Sequence, residues 1–156
     1  MLADMSAEVD PRRARLVEEP SAAAGANSQL VRRVFDELAE GNIRPLVDAM
    51  ADDFSWTVSG TSRWSRSYRG KRSVLEDLLG AVGAQFVDRY TVTASRILAA
   101  GDFVVVECDS DATTRAGNRY GNAYCWIIRL AEGRLQELVE YGDTRLIDEV
   151  LDGPTC

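Results

Sequence analysis

With no histidine anywhere in its 156 residues, this chain must move protons near neutral pH with carboxylates, tyrosines or lysines. Ser-His-Asp and Cys-His nucleophile systems are excluded, as are zinc sites that depend on imidazole. The three cysteines, Cys108, Cys125 and Cys156, have neither metal-ligand nor redox spacing. Cys108 and Cys125 sit inside apolar strand patterns, where a thiol behaves as a small buried hydrophobe. No glycine-rich phosphate loop is present, so the expectation is a protein that works with no metal and no cofactor. The remaining candidates crowd into the last third of the chain. Tyr120, Asn122, Tyr124 and Trp126 alternate along one segment, and Leu138, Glu140 and Gly142 alternate along the next. A carboxyl set among aromatic rings loses hydration, its pKa rises toward neutrality, and it becomes suited to acid-base work. A neighbouring tyrosine hydroxyl or asparagine amide would supply a hydrogen bond to a substrate oxygen.

For these groups to meet, the two segments must pair. Arg119–Leu130 and Arg134–Asp143 are joined by Ala131-Glu132-Gly133, and a three-residue hairpin loop with glycine in the left-handed position predicts a G1-bulge register. Trp126 then faces Leu138, Tyr124 faces Glu140 and Asn122 faces Gly142. All seven candidates share one sheet face, because side chains alternate along a strand. A one-residue slip reverses the assignment: Leu135, Val139 and Tyr141 become the buried set, and Glu140 becomes an ordinary exposed strand residue. Residue pattern alone leaves both open. Glu107 and Asp109 have the opposite parity from Val104, Val106 and Cys108 and are expected to meet solvent or a second subunit. Asp143 stands where it would cap a following helix.

The elements that must position these groups follow from periodicity. Leu30, Val31, Val34, Phe35 and Leu38 mark a helix, with Asn27 or Ser28 as N-cap and Gly41 as stop. A short helix follows Pro45, and Phe54–Val58 alternates as a strand carrying Trp56 and Val58. A polar loop, 59–70, holds Trp64 and Tyr68, which are candidates for a pocket lid. A third helix carries Val74, Leu75, Leu78, Leu79 and Val82. Four strands follow, over 90–98, 103–113, 119–130 and 134–141, with turns at Gly101, Gly117 and Gly133 and a last helix from Thr144. Helices followed by a strand-rich half indicate an α+β fold with an antiparallel sheet. Residues 1–27 read as a flexible tail, 28–151 as the domain and 152–156 as a C-terminal tail.

Three stretches carry a resemblance: Glu40-Gly41-Asn42 with Met50-Ala51-Asp52-Asp53-Phe54; Tyr68-Arg69-Gly70-Lys71; and Trp126 to Leu135 with Glu140-Tyr141-Gly142-Asp143-Thr144. In order and spacing they resemble the SnoaL-like branch of the nuclear transport factor 2-like and ketosteroid-isomerase-like superfamily. The resemblance implies a cone-shaped domain, in which three N-terminal helices pack on a strongly curved antiparallel sheet around a pocket. It also implies that the face bearing Glu140 points inward, and that a homodimer forms through the outer sheet face, with Cys125, Ile127, Val139 and Tyr141. Glu140 is then the candidate catalytic acid-base, and Trp56, Val58, Trp64, Tyr68, Tyr120, Asn122, Tyr124, Trp126, Leu138 and Gly142 are candidate substrate contacts.

Particular chemistries of that superfamily fit unevenly. The three positions that resemble the base, tyrosine and protonated acid of steroid isomerases hold Val58, Val34 and Trp126, which excludes that mechanism. The positions that resemble the arginine and aspartates of limonene-type epoxide hydrolases hold Cys108, Ser110 and Glu140, so only the last-strand acid has a counterpart. The expected function is cofactor-independent isomerisation, cyclisation or dehydration of an apolar cyclic or polyketide-like molecule. A non-catalytic binder or an interaction module of the same fold is the alternative.

Composition bounds the partners. A net charge of −7 argues against nucleic acid and anionic membranes, which attract basic surfaces. The one dense basic stretch, Arg63 to Arg72, is interrupted by Trp64, Ser65, Ser67 and Tyr68 and reads as a solvated loop. No apolar run approaches the ~20 residues that span a bilayer. The expected partner is a small apolar or aromatic molecule, and the expected location is the cytoplasm.

Overall fold

The computed structural model describes residues 22–155. The first helix, α1 (Ala22–Ala39), buries Ala24, Asn27, Val31, Val34, Phe35 and Leu38 along one stripe. It starts well before the expected cap. The alanine-rich run has the highest helix propensity of any composition and extends the stripe through Ala24. Asn27 is therefore not an N-cap but an interior residue, donating from Nδ2 to Gly101 O at 3.4 Å. Residues 22–27 belong to this helix and not to a tail, while 1–21 of the expected tail lie outside the described residues. Gly41 stops the helix as expected, at φ +77° with its N–H on Leu38 O.

Helix α2 (Arg44–Ala49) has proline in its first turn and runs straight into strand β1 (Met50–Val58), which starts four residues earlier than the alternation indicates. Inside the expected polar loop, Ser67–Arg69 forms a short strand β2 paired with β1, Trp56 opposite Tyr68. Helix α3 spans 71–83, with i→i+5 π-type turns over Val74–Gly80 between short α-helical ends. Strands β3 (Thr91–Ala100), β4 (Phe103–Thr113), β5 (Arg119–Tyr120), β6 (Ala123–Ala131) and β7 (Arg134–Gly142) follow, then helix α4 (Thr144–Val150). The expected single strand 119–130 is thus two, broken at Gly121 and Asn122.

The main sheet runs β2-β1-β7-β6-β4-β3, with β5 on β4. Its consecutive pairings are antiparallel, but β1 lies parallel to β7. The expectation of a wholly antiparallel sheet fails there, because β1 meets a strand from the other end of the chain and no hairpin constrains their directions. Buried Phe54, Trp56, Val104, Val106, Trp126, Ile128 and Leu138 form the concave face against the helices, giving the expected α+β cone.

The β6–β7 hairpin differs from the expected register. Its turn has two residues, Glu132 (φ +53°) and Gly133 (φ +72°), between paired Ala131 and Arg134. That is the turn whose twist suits a tight hairpin. A bulge then places Gln136 between the pairs Leu130–Leu135 and Arg129–Glu137. Together these move the register by two residues, so Trp126, not Tyr124, stands opposite Glu140, and Tyr124 faces Gly142. A two-residue shift preserves parity, so Glu140 keeps the face assigned to it. The bulge also explains why both alternatives looked reasonable: Leu135 and Glu140 are both buried, although regular alternation would separate them.

Candidate functional site

Between the concave sheet face and the helices lies a cavity of about 300 Å³. Its walls are largely apolar: Leu38 from α1, Leu46 from α2, Leu78, Leu79 and Val82 from α3, and Ile147 from α4. The wide π-type turns of α3 carry Leu78 and Leu79, and Val82 follows in the helical end beyond them.

Glu140 lines this cavity at 8% exposure. Its main chain is held from both sides, since its carbonyl accepts from Ser59 N–H at 2.9 Å and its neighbours across the ladders are Trp126 and Val58. Burial raises the carboxyl pKa to about 7, because removal of water disfavours the charged form. The indole N–H groups of Trp56 and Trp126 oppose that rise by favouring the anion. Neither reaches hydrogen-bonding geometry, and both Nε1 atoms are buried without a partner. The two rings meet edge to face at 5.0 Å, and Phe35 packs on Trp126 at 5.4 Å. With a pKa pushed up to about 7, this acid changes charge in the physiological range, beside two unpartnered indole N–H groups.

A second polar group lines the same cavity. Tyr120 Oη and Tyr124 Oη are 2.6 Å apart, and Tyr90 Oη is 3.4 Å from Tyr124 Oη. Phe86 stacks on Tyr90 at 5.2 Å and on Tyr120 at 5.8 Å, holding the phenol rings in a pile. Burial raises the pKa of all three tyrosines, and the charge of Glu140 adds to it. They are neutral donors near pH 7. Cys108 is likewise pushed up by burial first and by Glu140 next, which leaves an unreactive thiol where the epoxide-hydrolase pattern has an arginine.

Of the residues expected at the site, Trp56, Val58, Trp64, Tyr120, Tyr124, Trp126 and Glu140 line the cavity. Four expected contacts do not. Tyr68 is buried on β2 beside Trp56, its hydroxyl donating to Trp64 O at 3.0 Å and Arg66 lying over its ring. Leu138 is fully buried in the core beneath the cavity. Gly142 makes room for Tyr124 and not for a ligand: a Cβ there would sit 2.8 Å from Tyr124 Cδ1. Asn122 ties β6 to the start of α4, accepting from Asp143 N–H at 3.1 Å and donating to Asp143 O at 3.2 Å. Trp64 is no mobile lid, since its Nε1 donates to Asp152 O at 2.9 Å, and Arg63 beside it donates to Asp148 O and Leu151 O, both at 2.8 Å. Asp152, in the expected C-terminal tail, is thereby fastened to the domain, accepting also from Gln85 Nε2. Asp143 does cap α4, receiving the N–H groups of Arg145 and Leu146.

Sequence reasoning missed Phe86, Asp88 and Tyr90. Phe86 lies between the third helix and the strand over 90–98, and Tyr90 reads only as the first residue of that strand, so neither is singled out for the site. Asp88 sits at the rim with its carboxyl pKa lowered by hydrogen bonds from Thr113, whose N–H it accepts at 2.6 Å. Among the described residues no group of three or more Cys, Asp or Glu gathers as a metal site, and no helix is long and apolar enough to cross a membrane.

Comparison with known proteins agrees with this geometry. An uncharacterized protein of Mycobacterium bovis, and another of Mycobacterium tuberculosis, are each 28% identical over 116 residues, covering 74% of this chain and 88% of theirs. Among solved structures, Bal32a from a soil-derived mobile gene cassette superposes with a TM-score of 0.73 at 22% identity, over 83% of this chain and 99% of that one. A candidate SnoaL-like polyketide cyclase from Jannaschia sp. CCS1 gives 0.70 at 17% identity, over 88% and 99%. TerC, crystallised with polyporic acid, gives 0.67 at 16% identity, over 80% and 97%. These structural likenesses establish the fold. The model of the SnoaL-like domain matches residues 31–138, well over half of the chain. With its cone, its cavity and that match, the protein belongs to the SnoaL-like domain family.

Proposed function

We propose that this protein is a cofactor-independent enzyme in which Glu140 transfers a proton to or from carbon or oxygen of an apolar cyclic, polyketide-like molecule. One observation carries the reading: the carboxyl lies buried in an apolar cavity of ligand size, and that burial pushes its pKa up to about 7. A base of that pKa is half ionised at neutral pH, which favours proton transfer in both directions. The polyporic acid co-crystallised with TerC and the cyclase assignment of the Jannaschia protein support the ligand class. The alternative is a binder, in which Glu140 only recognises a polar group.

The reaction expected of the active site is enolisation. The Glu140 carboxylate takes a proton from the carbon beside a carbonyl, the C–H pair becomes the C=C bond, and the carbonyl oxygen takes up the negative charge. Deuterium exchange into 2-tetralone, followed by NMR, tests this directly. Wild type should accelerate exchange, and Glu140→Gln should reduce the rate by ~10²–10⁴ while leaving binding largely intact. No acceleration by wild type would leave the binder, and undiminished exchange in Glu140→Gln would assign the proton transfer to another group.

We further propose that a second copy covers the outer sheet face, where Leu98, Phe103 and Tyr141 are exposed, and that the protein works in the cytoplasm. The acidic balance argues for neither nucleic acid nor anionic membrane as partner.

A further inference from the structure

The three tyrosine hydroxyls have a fixed donor direction, and Asn122 sets it. Asn122 Oδ1 accepts from Asp143 N–H at 3.1 Å, so its Nδ2 is the atom 3.2 Å from Tyr120 Oη. An amide nitrogen can only donate, and the Tyr120 oxygen therefore accepts. Tyr120 is 2% exposed, and its other hydroxyl partner is Tyr124 Oη at 2.6 Å. If Tyr124 donated to Tyr120, the Tyr120 proton would be left buried without an acceptor, which folded proteins avoid. Tyr120 thus donates to Tyr124, and Tyr124 donates to Tyr90 across 3.4 Å. The Tyr90 proton is the one left over.

Tyr90 lines the cavity and is only partly buried. The nearby Ser110 hydroxyl accepts from Asn122 N–H at 3.0 Å and donates to Asn122 O at 3.4 Å, which leaves one of its two lone pairs open. The Tyr90 proton therefore has two directions, toward that lone pair in the empty protein and toward an acceptor atom that occupies the cavity, which Tyr90 lines. Each bond in such a run polarises the next, so the terminal hydroxyl is a better donor than an isolated phenol. The Phe86 stack fixes where it points.

We propose that Tyr90 is the ligand-binding end of this chain and donates to a carbonyl or enolate oxygen, so that the cavity selects oxygenated carbocycles held between Tyr90 and Glu140. The donor comes from a position that the family resemblance does not supply, since the corresponding steroid-isomerase tyrosine is Val34 here. The inference rests on the reading of the cavity as a small-molecule site. Asn122, Tyr120 and Tyr124 act through Tyr90 and are positioning residues.

The test compares 2-tetralone with tetralin, which has the same ring shape and no carbonyl, below the Glu140 pKa so that the carboxyl is neutral. Infrared spectra of bound 2-tetralone should show its carbonyl stretch lowered in wild type and returned toward the free value in Tyr90→Phe. Tyr90→Phe should weaken 2-tetralone by about 3–10-fold and leave tetralin unchanged, the usual size of one hydrogen bond. Tyr120→Phe, which keeps the ring pile, should give a smaller loss of the carbonyl shift and covers the case of a poorly folded Tyr90→Phe. An unchanged carbonyl stretch in both variants overturns the proposal, as does equal weakening of both ligands or no saturable binding of 2-tetralone by wild type. Glu140→Gln should retain the shift, so a protein that lowers the carbonyl stretch but exchanges no deuterium keeps this inference and sinks the catalytic one.

Discussion

Trp126 and Glu140 stand directly opposite each other across the β6–β7 ladder, with their side chains on the cavity face. A cross-strand pair of this kind brings an indole as near to a carboxyl as a sheet allows. Trp56, two residues before Val58, the parallel partner of Glu140, brings a second one. The two indoles flank the acid without a formed hydrogen bond, and their N–H groups keep the pKa of a deeply buried acid from rising further.

Replacing Trp126 with phenylalanine keeps an aromatic ring and removes one N–H. The Glu140 pKa should then move above 7, because a group that favours the anion is gone. Carbonyl-region infrared titration of the carboxyl, compared with Glu140→Gln, would show it. A downward or absent shift means that the indoles do not tune this acid.

Stability should depend on pH through the same residue. The folded pKa of about 7 exceeds the ordinary 4.5, so the folded state holds the proton more tightly than the unfolded chain. Stability from this group is fully present below about pH 4.5, declines as pH rises toward 7, and levels off above it. The full change is about 3 kcal/mol. Urea unfolding of wild type and Glu140→Gln across this range should give a difference that closes in favour of the variant as pH rises.

Deuterium exchange, if Glu140 is the base, should rise with pH and reach a plateau with a midpoint near 7. A profile flat from pH 5 to 9 would assign the proton transfer elsewhere.

Gly142→Ala should destabilise by about 1–3 kcal/mol, since the added methyl would lie 2.8 Å from the Tyr124 ring and force it aside. The displaced ring would also part Tyr124 from Tyr120. Thermal unfolding gives the first effect and the 2-tetralone carbonyl stretch gives the second.

Light scattering should report twice the monomer mass, and Phe103→Lys with Tyr141→Lys should return it to one. A wild-type monomer at micromolar concentration would remove the outer-face proposal.

Much of the fold was legible because each element has its own period. Strand β4 falls on its expected bounds, as Phe103 to Thr113 alternates without interruption. The parallel neighbour of β1 was not legible, because strand direction across a long chain separation leaves no mark on local pattern. At the site, the inward parity of Glu140 was read through the resemblance, while its partner was misassigned because Glu132 occupies a left-handed position that glycine usually takes. Asn122 and Gly142 were chosen for the correct face but serve the scaffold. Which residue on a concave face meets empty space depends on the neighbours that fill the rest, and Tyr124 and Asp143 fill it here.

The bulge at Gln136 acts as slack between the hairpin and the carboxyl. Gln136 and Glu137 both take the outer side between inward Leu135 and Leu138. Deleting Gln136 converts the bulge into regular ladder, and every later residue keeps its side. Deleting Val139 has no such reserve: Glu140 would follow Leu138 directly and turn to solvent. Two deletions of equal size, three codons apart, should therefore part company. The first spares the chemistry, and the second leaves a cone whose cavity has lost its acid.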